Sequence, residues 1–291
     1  MLRLYLPHQK HSTLYAIKGY IQSAVAIKAL KRWGQHFLNS PLGLTTITET
    51  VSAIQKVNGL QAITEIGPGL GALTDCLHPL TSTYYVMEQD QRFAPRLSSY
   101  DPPLNILWGD ALRQEWAVCP KSVLVGNLPY NISIPIILRW LRYSERFPEA
   151  IFMVQKEVGK RIISKPSTKA YGRLAVMIQS MAHVRWILTL GPESFVPQPK
   201  VDSCVLHLKR NFSIPKDLDT LESVLKHCFS QRRKILKNAL ARISVKFPTG
   251  FLEEGLARVG ASMHYRPEML TVDQYIKFSE YIKDSEYVAM D

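Results

Sequence analysis

Glu65-Ile66-Gly67-Pro68-Gly69-Leu70-Gly71 is the stretch that decides how this chain folds. Before it, Gln61-Ala62-Ile63-Thr64-Glu65-Ile66 is a short apolar run that reads as a buried strand, and after it Leu73 to Leu80 has helical spacing. A strand that enters a helix through alternating glycines makes a ligand-binding turn, because residues without a Cβ let the backbone reverse tightly and come close to a bound group. Ser82 to Glu88 predicts a second strand, completing a βαβ unit with an acidic residue at its end. Gln91 to Leu97 then reads as a helix and Asn105 to Trp108 as a short strand ending at Gly109-Asp110. Ser122 to Gly126 is a further strand that runs into Asn127-Leu128-Pro129-Tyr130-Asn131. All these strands present chemistry-bearing residues at their C-terminal ends, where open parallel sheets bind ligands.

Beyond that motif, Ile134 to Tyr143 predicts a helix, Ala150 to Val154 a strand, Leu174 to Met181 a helix and Val184 to Leu188 a strand. Ser194 to Lys200 predicts an extended loop and Val201 to Lys209 a closing strand. After Arg210 the pattern turns helical, over Asp219 to Ile243, Phe251 to Val259 and Val272 to Tyr281, with a turn at Pro267. The expected domains are a basic, flexible extension over 1–27, an α/β domain over 28–212 and a small helical domain over 213–291.

Two cofactor readings compete for the glycine turn. Gly67-x-Gly69-x-x-Ala72 satisfies the loose dinucleotide fingerprint, with Glu88 near the position of a ribose-binding acid, which would suit an NAD-dependent dehydrogenase. The same turn reads Glu65-x-Gly67-x-Gly69-x-Gly71, with an acidic residue closing the first strand, as is usual for S-adenosylmethionine domains. Asp110 offers a carboxylate to an adenine amino group, although a lone Asp after Gly is more often a turn residue or helix cap. Asn127-Leu128-Pro129-Tyr130 has no natural place in a hydride-transfer site and suits methylation of an amino group. The nitrogen of a nucleobase amine is a poor nucleophile, so its two N–H groups need acceptors and its ring needs a flat support. An Asn side-chain carbonyl and a neighbouring main-chain carbonyl accept the N–H groups, Pro129 restrains the turn, and the Tyr130 ring stacks on an extruded base. On its own, the tetrapeptide is equally well a loop after a buried strand.

The 291 residues carry 36 Lys and Arg against 24 Asp and Glu, a formal net charge of +12 that points to a polyanionic partner. Cys76, Cys119, Cys204 and Cys228 are scattered without metal-ligand spacing, so neither a zinc site nor a disulfide framework is signalled. No apolar run reaches the roughly 18 residues of a membrane span. No acidic residue precedes Glu49, which suits a basic arm or an organelle-targeting segment.

Further segments complete a resemblance. Lys31-Arg32-Trp33-Gly34-Gln35-His36-Phe37-Leu38, Val154-Gln155-Lys156-Glu157-Val158 through Tyr171-Gly172-Arg173-Leu174, Phe195 to Ser203 and Phe229-Ser230-Gln231-Arg232-Arg233-Lys234 join the core motifs. Together they resemble the KsgA-type ribosomal RNA adenine dimethyltransferases from about Lys28 to about Leu240. The resemblance implies a Rossmann-like S-adenosylmethionine-dependent methyltransferase domain followed by a small all-helical domain. It implies that His36 and Leu38 close over the cofactor and that Gly67, with Gly69 in the same turn, meets its amino-acid portion. Glu88 is then at the ribose, Asp110 at the adenine and Asn127 at the methyl-donor end. Many relatives carry Asn where this chain has His36. The implied reaction methylates N6 of two adjacent adenosines, twice each, in the 3′-terminal hairpin loop of 16S rRNA. Asn127 with the Leu128 or Pro129 carbonyl would orient N6, while Tyr130 and Phe195 would flank the base. The partners implied are 16S rRNA and the small-subunit precursor, met by a cytoplasmic monomer without a metal.

Helical spacing over Asp219 to Ile243 places Lys226, Arg233 and Lys237 on one face; Arg232, Arg233, Lys234 and Lys237 are the expected RNA contacts, with Lys10, Lys18, Lys28, Lys31 and Arg32 at the other end of the chain. A solvated helix face reads the same way. The alternatives are an Erm-type enzyme acting on large-subunit RNA and an organellar relative that doubles as a transcription factor.

Overall fold

The structure is a computed structural model that describes residues 28–30, 33–211 and 217–285. The expected extension over 1–27, Lys31, Arg32 and the expected boundary at 212–213 lie outside the described residues.

After β1 (Phe37–Leu38), Ser40 opens the first long helix by accepting from the Gly43 N–H at 3.2 Å, with Pro41 in the first turn; Gly59 ends it in the left-handed region at φ 64°. In this helix, α1 (Pro41–Asn58), Leu44, Ile47, Val51 and Ile54 recur at spacings of three and four and bury one face. That face joins Ile63, Val86, Val123, Val125 and Ile151 in the main core. Apolar spacing alone predicts a helix over Thr45 to Val57, and the Ser40 cap carries its start back to Pro41.

The chain continues through β2 (Ala62–Ile66), α2 (Ala72–Leu77), β3 (Thr83–Glu88), α3 (Ala94–Leu97), β4 (Asn105–Trp108), β5 (Ser122–Asn127), α4 (Ser133–Arg142), β6 (Glu149–Gln155), α5 (Lys156–Ile162), α6 (Arg173–Gln179), β7 (Ala182–Leu190), β8 (Phe195–Val196) and β9 (Ser203–Arg210). Seven strands form one sheet in the order β4-β3-β2-β5-β6-β9-β7. The five from β4 to β6 are parallel, and β9 runs antiparallel to β6. Strand order reverses between β2 and β5, so the C-terminal ends of these two strands open on the crevice where such sheets hold ligands. An antiparallel strand beside β6 departs from the all-parallel order of the dinucleotide-binding fold. Away from this sheet, β1 pairs antiparallel with β8, Phe37 opposite Val196 and Leu38 opposite Phe195. Neither β1 nor α5 was expected from the sequence, since two-residue strands and a seven-residue helix carry too little periodicity to read.

Contacts gather the chain into two compact units, one running to Gly159 and taking in Arg185–Lys209, the other comprising Lys160–Val184 and the residues from Arg210 onward. The helical unit thus includes a stretch that the sequence reading gave to the α/β domain. The Tyr171 hydroxyl donates to the Leu270 carbonyl at 3.0 Å and Arg173 pairs with Glu222 at 2.9 Å, which draws that stretch in.

In the helical unit, Asp217 caps α7 (Leu218–Cys228) by accepting from the Asp219 and Thr220 N–H groups. The expected continuous helix over Asp219 to Ile243 is broken. A 3-10 turn covers Phe229–Gln231 and Ile235 is extended, after which α8 (Leu236–Ala239) and α9 (Ala241–Ser244) follow as separate single turns. Tertiary hydrogen bonds override helical propensity there: the Leu236 N–H donates to the Tyr265 carbonyl at 2.8 Å and the Lys237 N–H to the Met263 carbonyl at 2.9 Å. Lys226, Arg233 and Lys237 are exposed but do not share one helix face. Next come α10 (Phe251–Arg258) and α11 (Val272–Lys283), the latter opened by a Thr271/Gln274 capping box.

Gly126 sits where β5 passes β2, and a Cβ there would lie 2.9 Å from the Ile66 carbonyl oxygen. Gly126→Ala is expected to cost roughly 1–3 kcal/mol through overpacking against backbone that cannot yield. A denaturant titration that gave the parent midpoint would contradict this packing.

Candidate active site

Each parallel strand from β2 to β5 delivers residues to one pocket. Gly67, Gly69 and Gly71 all have positive φ, at 69°, 55° and 90°, so the turn needs glycine at each. A Cβ on Gly67 would meet nothing within 4 Å, which leaves its backbone open to a ligand. Glu65, at the end of β2, lines the same pocket and is 1% exposed; one of its oxygens accepts from the Thr74 and Tyr84 hydroxyls, both at 2.7 Å. Burial away from water pushes its carboxyl up to about 7, with the nearby Asp75 and Glu88 charges acting in the same direction.

At the end of β3, Glu88 accepts from the Gly69 N–H at 3.0 Å and the Asp90 N–H at 2.8 Å. Burial raises its pKa as well, against these backbone donors. Asp90 in turn ties the incoming chain over the pocket: it accepts from Gln35 Nε2 at 3.0 Å and from the Arg92 guanidinium, which also reaches the Lys28 carbonyl. Asp110, beyond β4, lines the pocket and uses one oxygen to accept from the Leu112 N–H at 2.9 Å, a cap-like bond. Its second oxygen lies 3.8 Å from Arg113 Nε on the exposed side.

Asn127 ends β5, and its side-chain NH2 donates to the His36 carbonyl at 2.8 Å, so its Oδ1 is the acceptor that remains for a ligand. Leu128 is 1% exposed and its N–H donates to the Met153 carbonyl, while the Pro129 carbonyl already accepts from the Ile132 N–H at 3.1 Å. The His36 ring stacks on Tyr130, with centroids 5.3 Å apart and planes at 25°, and its Nδ1–H donates to the Pro197 carbonyl at 2.7 Å. The Tyr130 hydroxyl lies 2.6 Å from Ser203 Oγ. His36, Leu38, Gly67, Gly69, Glu88, Asp110, Asn127, Leu128, Pro129 and Tyr130 all line the pocket. Phe195 does not: it is 1% exposed within the core, opposite Leu38 in the β1–β8 pair. The roles of Asp90, Pro197 and Ser203 went unread in the sequence, since each acts through a hydrogen bond to a residue distant in the chain.

Among the described residues, the lining includes Glu65, Glu88 and Asp110 but neither Lys nor Arg. Such a lining favours a cation, and a sulfonium-bearing ligand with a ribose and an adenine matches that donor set better than a pyrophosphate does. S-Adenosylmethionine therefore fits the residues present. Among the described residues no group of three or more His, Cys, Asp or Glu is placed to hold a metal ion, and no helix is long and apolar enough to cross a membrane.

In the helical unit, Arg232 is engaged within the protein: its Nε donates to Glu268 at 2.8 Å and its Nη2 to the Thr168 carbonyl at 3.1 Å. Arg233, Lys234 and Lys237 are exposed.

The parallel strands ending in this pocket, with β9 returning antiparallel beside them, make the α/β unit a Rossmann-like methyltransferase fold. Solved methyltransferases share it. A dimethyladenosine transferase from Plasmodium falciparum is similar at TM-score 0.74 and 25% identity, covering 85% of this chain and 98% of its own. The 23S rRNA methyltransferase ErmE is similar at TM-score 0.62 and 25% identity, covering 85% of this chain and all of its own. The chain belongs to the ribosomal RNA adenine dimethylase family, whose model matches residues 26–284. It is 39% identical over 259 residues to the ribosomal RNA small subunit methyltransferase A of Vibrio atlanticus, covering 86% of this chain and 92% of that protein. The protein of the same name from Pectobacterium atrosepticum is 36% identical over 262 residues, with 86% and 92% covered.

Glu65 makes stability depend on pH. In the unfolded chain it ionises near its ordinary 4.5, whereas in the fold it holds its proton to about 7, so its stabilising contribution is complete below 4.5 and is lost as pH rises to about 7. Glu65→Gln keeps a carbonyl for both hydroxyls and removes the titration. Relative to the parent, its unfolding free energy should rise between pH 4.5 and 7 by up to about 3 kcal/mol. Urea titrations at several pH values check this, and parallel pH profiles for the two proteins would show that Glu65 is not the group responsible.

Proposed function

We propose that this protein methylates N6 of two adjacent adenosines, twice each, in the 3′-terminal hairpin loop of 16S rRNA, acting on the small-subunit precursor during its assembly. The observation that carries this reading is the Asn127 amide, oriented by the His36 carbonyl so that an acceptor faces the pocket beside the Tyr130 ring. Family membership and the small-subunit enzymes at 36% and 39% identity support it. The protein would work in the cytoplasm as a monomer.

S-Adenosylmethionine supplies, when bound, a methyl group on a sulfonium that is open to attack by a nitrogen. Gly67 and Gly69 would hold its amino-acid portion through bare backbone, Glu88 its ribose and Asp110 its adenine, with His36 and Leu38 over it. Asn127 Oδ1 and the Leu128 carbonyl accept the two N6 hydrogens of the target base, which orients the nitrogen lone pair along the line of transfer. The Pro129 carbonyl is already occupied by Ile132 and is the weaker candidate. Tyr130 supports the flipped ring. His36 covers one face of Tyr130, so a base entering that face must move the imidazole aside. No strong base is needed, because the nitrogen becomes cationic on transfer and its proton is then acidic. Burial raises the Tyr130 hydroxyl above its ordinary value, so it remains protonated at neutral pH and supplies a surface instead of a base.

The deciding experiment transfers labelled methyl groups to undermethylated small subunits and to large-subunit RNA, followed by nuclease digestion. N6,N6-dimethyladenosine confined to the 3′-terminal hairpin is the expected product; label on large-subunit RNA would shift the reading to an Erm-type enzyme. Asn127→Ala should lower turnover by roughly a hundredfold or more with the fold and RNA binding retained, and near-parent turnover would remove Asn127 from the reaction.

The exposed Arg233, Lys234 and Lys237 are proposed RNA contacts, with Arg232 holding the segment that carries them. Reversing charge at Arg233 and Lys237 should weaken binding to small subunits and flatten its dependence on salt, by about one unit of logarithmic slope for each phosphate that is no longer neutralised. An unchanged slope would exclude both side chains from the interface.

A further inference from the structure

The Phe195 to Ser203 segment stands out in the sequence, yet most of it has no part in the reaction as described. Its last residue, Ser203, is fully buried at the start of β9, opposite Gln155 in the register with β6. The preceding residue is fixed twice to the same neighbour: the Lys156 N–H donates to the Asp202 carbonyl at 2.9 Å, and Lys156 Nζ lies 2.8 Å from Asp202 Oδ2. Ser203 Oγ therefore projects from rigid backbone, and it meets the Tyr130 hydroxyl at 2.6 Å. The other end of the Tyr130 residue is anchored by its carbonyl, which accepts from Ser133 Oγ at 3.2 Å.

We propose that Ser203 is a positioning residue for the target base: its hydroxyl fixes the position of the Tyr130 ring on which the adenine stacks. This rests on the base-stacking reading of Tyr130 given above. An aromatic side chain anchored only at its Cβ can swing about χ1, whereas one held also at its para hydroxyl, which lies on the χ2 axis, keeps one χ1 direction and so one position for its ring. Stacking gains depend on that position, and small errors in placing the nitrogen are costly in transfer rate. Ser203 touches neither base nor cofactor in this role, so its effect belongs to the methyl-transfer step and not to cofactor capture.

The test is a double-mutant cycle on undermethylated small subunits, using Ser203→Ala, Tyr130→Phe and the pair, in single-turnover methyl transfer. Each single variant is expected to lose about tenfold in rate, the scale of one hydrogen bond, and the double variant should lose no more than either alone. S-Adenosylmethionine affinity should stay at the parent value. Losses that multiply, full rate in both singles, or affinity that falls in step with rate would each overturn the proposal. Tyr130→Ala separates the two levels. If it retains the parent rate, the base-stacking reading fails and the positioning role with it; if it is inactive while Ser203→Ala and Tyr130→Phe keep full rate, only the positioning role fails.

Discussion

The hydrogen bond from the Asn127 side-chain NH2 to the His36 carbonyl is the constraint on which the site depends. A carboxamide has a donor end and an acceptor end of nearly equal shape, and only the acceptor end can take an N–H from an amino group. Committing the donor to His36 leaves Oδ1 for the ligand. That commitment holds only if the His36 backbone is itself fixed. The β1–β8 pair and the bond from His36 Nδ1 to Pro197, which both reach the 195–197 segment, and the Gln35–Asp90 bond at the end of β3 supply this. One side-chain orientation thus draws on the entry segment, the end of β3 and the segment before β9.

Charge completes what shape begins. The pocket gathers carboxyl groups, without a lysine or arginine among the described residues of its lining, and burial holds Glu65 and Glu88 above their ordinary values. In a site shielded from water such groups respond strongly to the charge of whatever enters. A cationic ligand would relieve a cost that the fold bears in its absence, so on the proposed reading affinity and selectivity for a sulfonium would come from the same residues.

In the helical unit, neighbouring cations have different roles. Arg232 is committed to Glu268 and the Thr168 carbonyl, which knits the 164–170 loop to the 230s, while Arg233 and Lys234 next to it are exposed. Three consecutive basic residues look alike in a sequence; their partners separate them. The long helix expected over Asp219 to Ile243 had a sound apolar pattern, and it is broken because Leu236 and Lys237 find backbone acceptors near residue 264 that a periodicity cannot reveal.

The sequence by itself determined the parallel sheet, the glycine turn and the set of residues at the strand ends; ten of the site residues that it names, His36 and Leu38 through the family resemblance alone, line one pocket. These were legible because strand runs, glycine requirements and strand-end chemistry are local properties, readable within a few residues. Tertiary structure alone decided which Asn127 atom faces the ligand, that Phe195 is a core ring and not part of the lining, and that Ser203 holds Tyr130. It also assigned Lys160–Val184 to the helical unit. Each of these depends on a contact between residues far apart in the chain, and no periodicity or propensity encodes a hydrogen bond whose partner is set only when the strands close together.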